Sequence, residues 1–127
     1  MDDGAHNGEI SKAVIGAAIE VHRHLGPGLL ESIYESCLCR ELERNSINFQ
    51  RQISLPVRYK GDVLDCEYRF DLIVEKSLVV EIKSVEKIVP VHRAQILTYL
   101  KVSGIRTGIL INFNMPVLKD GLERFVL

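Results

Sequence analysis

The 127-residue chain lacks the features that mark several large classes of protein. Its formal net charge is only -1, which argues against a protein that coats nucleic acid through bulk electrostatics. No apolar run approaches the length needed to span a bilayer, and the acidic start Met1-Asp2-Asp3-Gly4 lacks the basic and apolar regions of a signal peptide. We therefore expect no membrane partner and a cytoplasmic location.

Cysteine is also scarce. Cys37, Cys39 and Cys66 cannot all pair with one another and lack the spacing of a zinc site, so we predict reduced, mostly packed thiols and no disulfide framework. A composition of 46% hydrophobic and 26% charged residues is ordinary for a soluble globular protein. The length suits one domain, which we place at residues 9–127 after a disordered leader at residues 1–8.

Hydrophobic periodicity predicts two helices, three strands, a helix and a strand. The predicted ranges are helices over residues 9–25 and 29–45, strands over 49–59, 63–75 and 78–85, a helix over 90–102 and a strand over 105–113. Pro56 marks its strand as an edge strand or as the site of a bulge. The fourth strand is apolar enough to be buried on both faces, and residues 118–127 add a helical turn and an edge strand. This order predicts an α/β sandwich in which the last helix crosses over before the final long strand.

Two carboxylates and an ammonium stand out within the strand pattern, at Asp71, Glu81 and Lys83. Charged side chains are uncommon in strands this apolar, so their presence calls for a structural or functional explanation. Because successive side chains of a strand point to opposite faces, Glu81 and Lys83 share one face while Val80 and Ile82 pack on the other. Two oxygen donors beside a positive charge suit a hard metal such as magnesium, whose bound water can attack a phosphodiester.

The apolar pattern also predicts how the second and third strands pair. A loop with an odd number of residues, centred on Lys76, places the apolar residues of both strands on one buried face. The predicted pairs are Val74 with Leu78, Leu72 with Val80, Phe70 with Ile82, Asp71 with Glu81 and Arg69 with Lys83. An alternative interpretation is that both acids are solvated residues on an open sheet face, paired with Arg69 and Lys83 as ordinary salt bridges.

Three further polar residues lie on the predicted helices. Glu31 begins the second helix, where the helix dipole favours a negative charge, and that alone is a sufficient structural reason for it. Gln95 and Tyr99 are four residues apart, hence on one face of the third helix. We assign the neighbouring face, with Val91, Ala94 and Leu97, to the core. Surface positions are the commoner explanation for a glutamine and a tyrosine on a helix.

Together these residues resemble a known group of proteins. Gly28, Glu31 and Tyr34 match the signature of the GxxExxY proteins, a group assigned to the PD-(D/E)XK nuclease superfamily. Asp71 and Glu81-Ile82-Lys83 match the core motif of that superfamily. Gln95 and Tyr99 match the QxxxY helix of its exonuclease-like branches. The resemblance extends from about residue 10 to residue 113. Phe70 stands where the superfamily motif has its proline, a position that is commonly replaced.

The resemblance implies a restriction-endonuclease-like core in the order α-β-β-β-α-β, with a central mixed sheet flanked by helices. It also implies roles: Asp71, Glu81 and the backbone carbonyl of Ile82 as metal ligands, Lys83 as the group that orients the attacking water or stabilises the phosphate, Glu31 as an accessory acid, and Gln95 and Tyr99 as residues that shape the site or touch the substrate backbone. The implied function is a nuclease, dependent on Mg2+ or Mn2+, that hydrolyses nucleic acid, with DNA as the expected partner. A non-cleaving binding or assembly module with the same fold and acidic pocket is the alternative.

We also expect a homodimer. The aliphatic strand over residues 105–111 and the tail Phe125-Val126-Leu127 predict apolar area that one chain leaves uncovered.

Overall fold

The computed structural model describes the backbone from residue 3 and the side chains from residue 8 onwards. Its elements, in chain order, are α1 (Asp3–Leu25), α2 (Glu31–Arg44), β1 (Phe49–Tyr59), β2 (Asp62–Val74), β3 (Leu78–Lys83), α3 (Pro90–Ser103), β4 (Thr107–Asn112), a 3-10 turn (Leu118–Gly121) and β5 (Leu122–Val126). The predicted order and type of these elements are confirmed. α1 begins earlier than predicted, so residues 3–8 are helical where we predicted a disordered leader. Residues 1–2 lie outside the described residues.

The strands form one sheet in sequence order, from β1 to β5. β3 and β4 are parallel, and the other neighbouring strands are antiparallel. α3 makes the crossover that a parallel pair requires. The central mixed sheet flanked by helices agrees with the core that we predicted.

The sheet separates two hydrophobic cores. α1 and α2 pack on one face, where the sheet contributes Leu72 and Val80, and α3 packs on the other, where Ile96 meets Val79. We call these the α1/α2 face and the α3 face. β4 is buried along its whole length, as predicted. A Cβ at Gly108 would lie 3.1 Å from Ile96 Cδ1, so the glycine lets α3 approach β4 closely.

The buried side of α3 differs from the prediction. Leu97 is partly buried against the core as predicted, but Val91 is 68% exposed and Ala94 is exposed. Tyr99 is buried instead, together with Ile96. The ring of Tyr99 stacks on Phe70 with 4.5 Å between the ring centroids. An aromatic pair of this kind buries more apolar area than a valine and an alanine would, which favours burial of the side of α3 that carries Tyr99.

β1 and β2 form a long antiparallel hairpin at one edge of the sheet. β1 is the edge strand, and the register shifts between Pro56 and Arg58, so both alternatives that Pro56 suggested are realised. β3 pairs with β2 only from Leu72 to Val74. Beyond that point β2 continues along β1 while β3 continues along β4, and the two strands separate.

The predicted register holds where β2 and β3 pair. Leu72 lies opposite Val80, and the intervening loop is centred on Lys76. The pair of Phe70 with Ile82 is wrong, because Phe70 packs in the core on the α3 face and Ile82 in the core on the α1/α2 face. The pair of Arg69 with Lys83 is also wrong, because both residues lie beyond the point where β2 and β3 separate.

The cysteines are free thiols, as predicted. Cys39 is buried, Cys37 is partly buried and Cys66 is exposed on β2, which agrees with thiols that are mostly packed. Among the described residues, the helices are too short or too polar to cross a membrane.

Candidate active site

The candidate site lies where β2 and β3 separate. Asp71 is the first residue of β2 beyond the paired segment, and Glu81 is its counterpart on β3. The backbone N–H of Asp71 donates to Glu81 Oε2 at 3.0 Å, and the backbone N–H of Ile82 donates to Asp71 Oδ2 at 2.8 Å. Each carboxylate thus accepts an N–H that a strand carbonyl would otherwise accept. The two acids are brought together by the hairpin register.

Both acids are shielded from solvent. Glu81 is 3% exposed and Asp71 is partly buried. Burial, together with the negative charge of Asp71, raises the pKa of Glu81 to about 8. Burial is also the main cause that raises the pKa of Asp71. Within the described part of the chain, neither acid forms a salt bridge with Arg69 or Lys83, so the interpretation of both as solvated ion pairs is wrong.

The ammonium of Lys83 is held by α3. Its Nζ donates to Gln95 Oε1 at 3.0 Å, and Gln95 Nε2 donates to the hydroxyl of Tyr99 at 3.2 Å. Burial, with the nearby charge of Glu81, raises the pKa of the Tyr99 hydroxyl. Gln95 and Tyr99 are therefore not ordinary surface residues, because they form a hydrogen-bonded chain that ends at the lysine.

The glycine and the tyrosine of the sequence signature shape the loop that leads into α2. Gly28 has a φ of 95°, which a residue with a Cβ adopts only with strain. The hydroxyl of Tyr34 donates to the carbonyl of Gly26 at 2.5 Å and accepts the backbone N–H of Leu29 at 3.2 Å. The ring of Tyr34 stacks on Phe113 with 4.5 Å between centroids. These contacts fix the point at which α2 begins.

Glu31 lies at that point, on the exposed rim of the site. Its Oε2 accepts the backbone N–H of Ser84 at 3.3 Å, and the hydroxyl of Ser84 donates to the carbonyl of Leu29. Because Ser84 directly follows Lys83, these bonds join the start of α2 to the end of β3.

Sequence reasoning missed two residues of this region, Glu35 and Gln52. Glu35 is 7% exposed, and its carboxylate accepts hydrogen bonds from Arg51 Nε at 2.7 Å and from Gln52 Nε2 at 2.8 Å. Gln52 Nε2 also lies 3.5 Å from Asp71 Oδ1. The spacing of four residues from Glu31 could have indicated Glu35, since such residues share a side of a helix. No comparable sequence signal marks Gln52.

The donor set fits a hard divalent cation. Carboxylate oxygens such as those of Asp71 and Glu81 are the ligands that Mg2+ prefers, and Mg2+ completes its coordination with waters or carbonyl groups. Burial is the main cause that raises the pKa of both acids, and the charge of Lys83 only partly offsets it, so a bound cation would favour their ionised forms. In the described part of the chain, no group of three His, Cys, Asp or Glu side chains converges as a metal site. The remaining ligands would therefore be waters or a carbonyl group, for which Ile82 is our candidate.

A family model for the PD-(D/E)XK nuclease superfamily matches residues 8–125. The chain belongs to this superfamily. The match spans every element that contributes to the site, and the five-stranded mixed sheet with three helices agrees with the restriction-endonuclease-like fold that we predicted. The narrower assignment to the GxxExxY group stays a prediction based on Gly28, Glu31 and Tyr34. No curated protein and no solved structure gave a significant match.

Proposed function

We propose that the protein is a Mg2+-dependent nuclease that hydrolyses phosphodiester bonds of nucleic acid, with DNA as the expected substrate. Membership of the superfamily supports nuclease-like chemistry. The observation that carries the proposal is the pair formed by Asp71 and Glu81, two acids with raised pKa values. Each carboxylate accepts a backbone N–H of the opposite strand at the point where β2 and β3 separate. A site of this kind favours a ligand that brings positive charge.

Asp71 and Glu81 would hold the cation. When bound, a divalent cation would acidify a water molecule and offset the negative charge that develops on the phosphate. Mn2+ would serve at the same site, because it shares the preference of Mg2+ for oxygen ligands. The backbone N–H groups that now bind the two carboxylates leave further oxygen lone pairs available for coordination.

Lys83 would contact the phosphate or the attacking water. Its Nζ is oriented by a neutral partner, Gln95, rather than by a salt bridge, so its charge remains available to a substrate anion. Tyr99 would orient Gln95 in turn. Glu31 would act as an accessory acid, because its bond to Ser84 keeps it beside the end of β3.

Metal-dependent cleavage is the direct test. The purified protein would be incubated with single-stranded, duplex and branched DNA and with RNA, at equal ionic strength, with Mg2+, Mn2+ or EDTA. We expect cleavage of DNA that requires the metal and is lost in Asp71→Asn and Glu81→Gln, both of which should weaken metal binding. If the parent protein binds nucleic acid but cuts none of these substrates, the alternative function, a non-cleaving binding or assembly module, becomes the better one.

We further propose that two copies associate in solution, although one reason for expecting this was wrong. β4 is buried within the sheet and offers no apolar surface. The support that remains is the edge strand β5 and the residue after it, where Val126 is 69% exposed and Leu127 is 46% exposed.

A further inference from the structure

Gln52 has an unusual backbone conformation for a residue in the middle of a strand. Its φ is 52°, in the left-handed region that residues with a Cβ rarely adopt. On either side of it the hairpin is regular, since Arg51 lies opposite Leu72 and Ile53 lies opposite Phe70. Gln52 and Asp71, between those two pairs, do not pair. The irregularity therefore falls on the strand residue opposite a candidate metal ligand.

The irregularity changes the direction of the side chains in both strands. Phe49 packs against the core on the α1/α2 face, whereas Ile53 packs on the α3 face. On the partner strand, Leu72 and Phe70 are divided between the two faces in the same way, although regular alternation would place them together. Gln52 and Asp71 lie at this change of face, and their side chains are therefore not directed as in a regular strand.

The side chain of Gln52 connects the ion pair of Arg51 with the buried Glu35 to the candidate metal ligand. Glu35 is almost fully buried and is bound by Arg51 at 2.7 Å, which fixes its carboxylate. Gln52 Nε2 donates to that carboxylate at 2.8 Å and lies 3.5 Å from Asp71 Oδ1. An amide nitrogen carries two hydrogens, so one can bind Glu35 while the other faces Asp71. Asp71 Oδ2 is already bound by the backbone N–H of Ile82.

We propose that Gln52 is a positioning residue that orients the carboxylate of Asp71 for a divalent cation, with the pair of Glu35 and Arg51 as its anchor. The amide also separates two carboxylates that would otherwise face each other. This inference rests on the proposed function, because it takes Asp71 to be a metal ligand. Outer partners of metal ligands fix their orientation in this way, and their loss commonly reduces metal affinity or activity on the order of tenfold to a hundredfold.

The left-handed backbone allows a test that separates positioning from folding. Glycine adopts a φ of this kind without strain, so Gln52→Gly removes the amide and relieves the backbone at the same time. We expect the thermal unfolding midpoint to change little, because relief of the left-handed backbone offsets the lost hydrogen bond to Glu35. The dissociation constant for Mn2+, measured by electron paramagnetic resonance, should increase roughly tenfold. In cleavage assays kcat should fall on the order of tenfold while KM for DNA changes little.

Two further variants test whether the loss of Mn2+ affinity depends on the length and position of the amide side chain. Asparagine tolerates the left-handed region and keeps the amide, but it is one methylene shorter, so Gln52→Asn should weaken Mn2+ binding as well. Gln50→Ala changes an exposed residue that lies opposite Ile73 in the regular part of the same strand, and it should match the parent in Mn2+ affinity and in rate.

The two readouts distinguish the failure of this inference from the failure of the proposed function. If the parent binds Mn2+ but cuts nothing, the nuclease proposal fails, and a weaker Mn2+ affinity in Gln52→Gly still supports the positioning role. Equal Mn2+ affinity in the parent and in Gln52→Gly would overturn the positioning role. It would also be overturned by a parent that binds no Mn2+, or by a Gln52→Gly protein whose unfolding midpoint falls together with its affinity.

Discussion

Asp71 and Glu81 are bound reciprocally, since Asp71 donates its backbone N–H to the carboxylate of Glu81 and its own carboxylate accepts the N–H of Ile82, the next residue of β3. Both acids are thereby fixed to the sheet rather than to mobile loops. The arrangement also holds two carboxyl groups in a partly dry site, where one of them retains its proton readily. A proton and a divalent cation therefore compete for the same oxygens.

The stability of the metal-free protein should depend on pH through this pair. The pKa of Glu81 in the folded protein, about 8, exceeds the value of about 4.3 for an unperturbed glutamate. The folded state therefore binds the proton more tightly than the unfolded state, and its stability should fall as the pH rises from about 4.3 to about 8. Thermal unfolding in EDTA between pH 5 and pH 8 measures this.

Glu81→Gln is the matched variant, because it keeps the shape of the side chain and cannot ionise. The difference between the parent and this variant removes the contributions of the histidines, which titrate in the same range. Stabilisation by Mg2+ should increase with pH in the parent over the same interval, because the cation displaces a proton. A gap between parent and Glu81→Gln that is constant with pH would contradict the prediction.

Much of this fold is encoded in local patterns. Periods of 3.6 and 2 residues indicated the helices and strands, and the parity of the apolar residues fixed the register of β2 with β3. That one constraint brought Asp71 and Glu81 together. The start of α1 was missed because residues 3–8 carry little apolar periodicity, while the structure continues the helix through them.

The region around Gln52 could not be predicted, for a physical reason. Regular alternation assigns every strand residue to a face, so a single left-handed residue reverses the assignment beyond it. Glycine and asparagine are the usual markers of such a position, and glutamine is not. Phe70, on the partner strand, lies on the α3 face although alternation from Leu72 would place it on the α1/α2 face, so its pairing with Ile82 was wrongly predicted.

Tyr34→Phe should reduce stability without changing the chemistry of the site. The variant keeps the stacking on Phe113 but loses the hydroxyl that binds Gly26 and Leu29. Loss of these hydrogen bonds should lower the free energy of unfolding by about 1–2 kcal/mol, as measured by urea denaturation. Tyr59→Phe, at an exposed position, is the control and should have almost no effect. A stability equal to that of the parent would show that the hydroxyl does not hold the loop.

The self-association that we propose predicts that the molar mass in solution is that of a dimer. Light scattering at tens of micromolar protein, roughly the range in which moderate interfaces are populated, should give the mass of a dimer. Val126→Lys places a charge on the exposed edge strand β5 and should shift the mass to that of a monomer. A monomeric parent at this concentration would count against the proposal, and a dimeric Val126→Lys protein would place the interface elsewhere.

The chain from Lys83 through Gln95 to Tyr99 predicts a graded loss of cleavage rate. Gln95→Ala removes the acceptor that holds the ammonium and should lower kcat roughly tenfold, which corresponds to about 1.4 kcal/mol. Tyr99→Phe keeps the stacking on Phe70 but removes the hydroxyl that Gln95 binds, so its effect should be smaller, within a few-fold. Steady-state kinetics on one DNA substrate would compare them. A larger loss in Tyr99→Phe than in Gln95→Ala would contradict this order of action.

Lys83→Ala tests whether the ammonium acts on the reaction itself. Its partner is the neutral Gln95, and among the residues that the structure describes no acid of the site forms a salt bridge with it, so its removal should leave the thermal unfolding midpoint nearly unchanged. Metal affinity should stay level or rise slightly, since a nearby positive charge is lost. Loss of a preorganised charge at a reacting phosphate commonly lowers the rate by about a hundredfold or more, so cleavage should almost disappear.

The matched control is Lys101→Ala, which changes an exposed lysine on α3 and should cut at the parental rate. If Lys83→Ala cuts DNA in Mg2+ as fast as the parent, the role assigned to Lys83 is wrong.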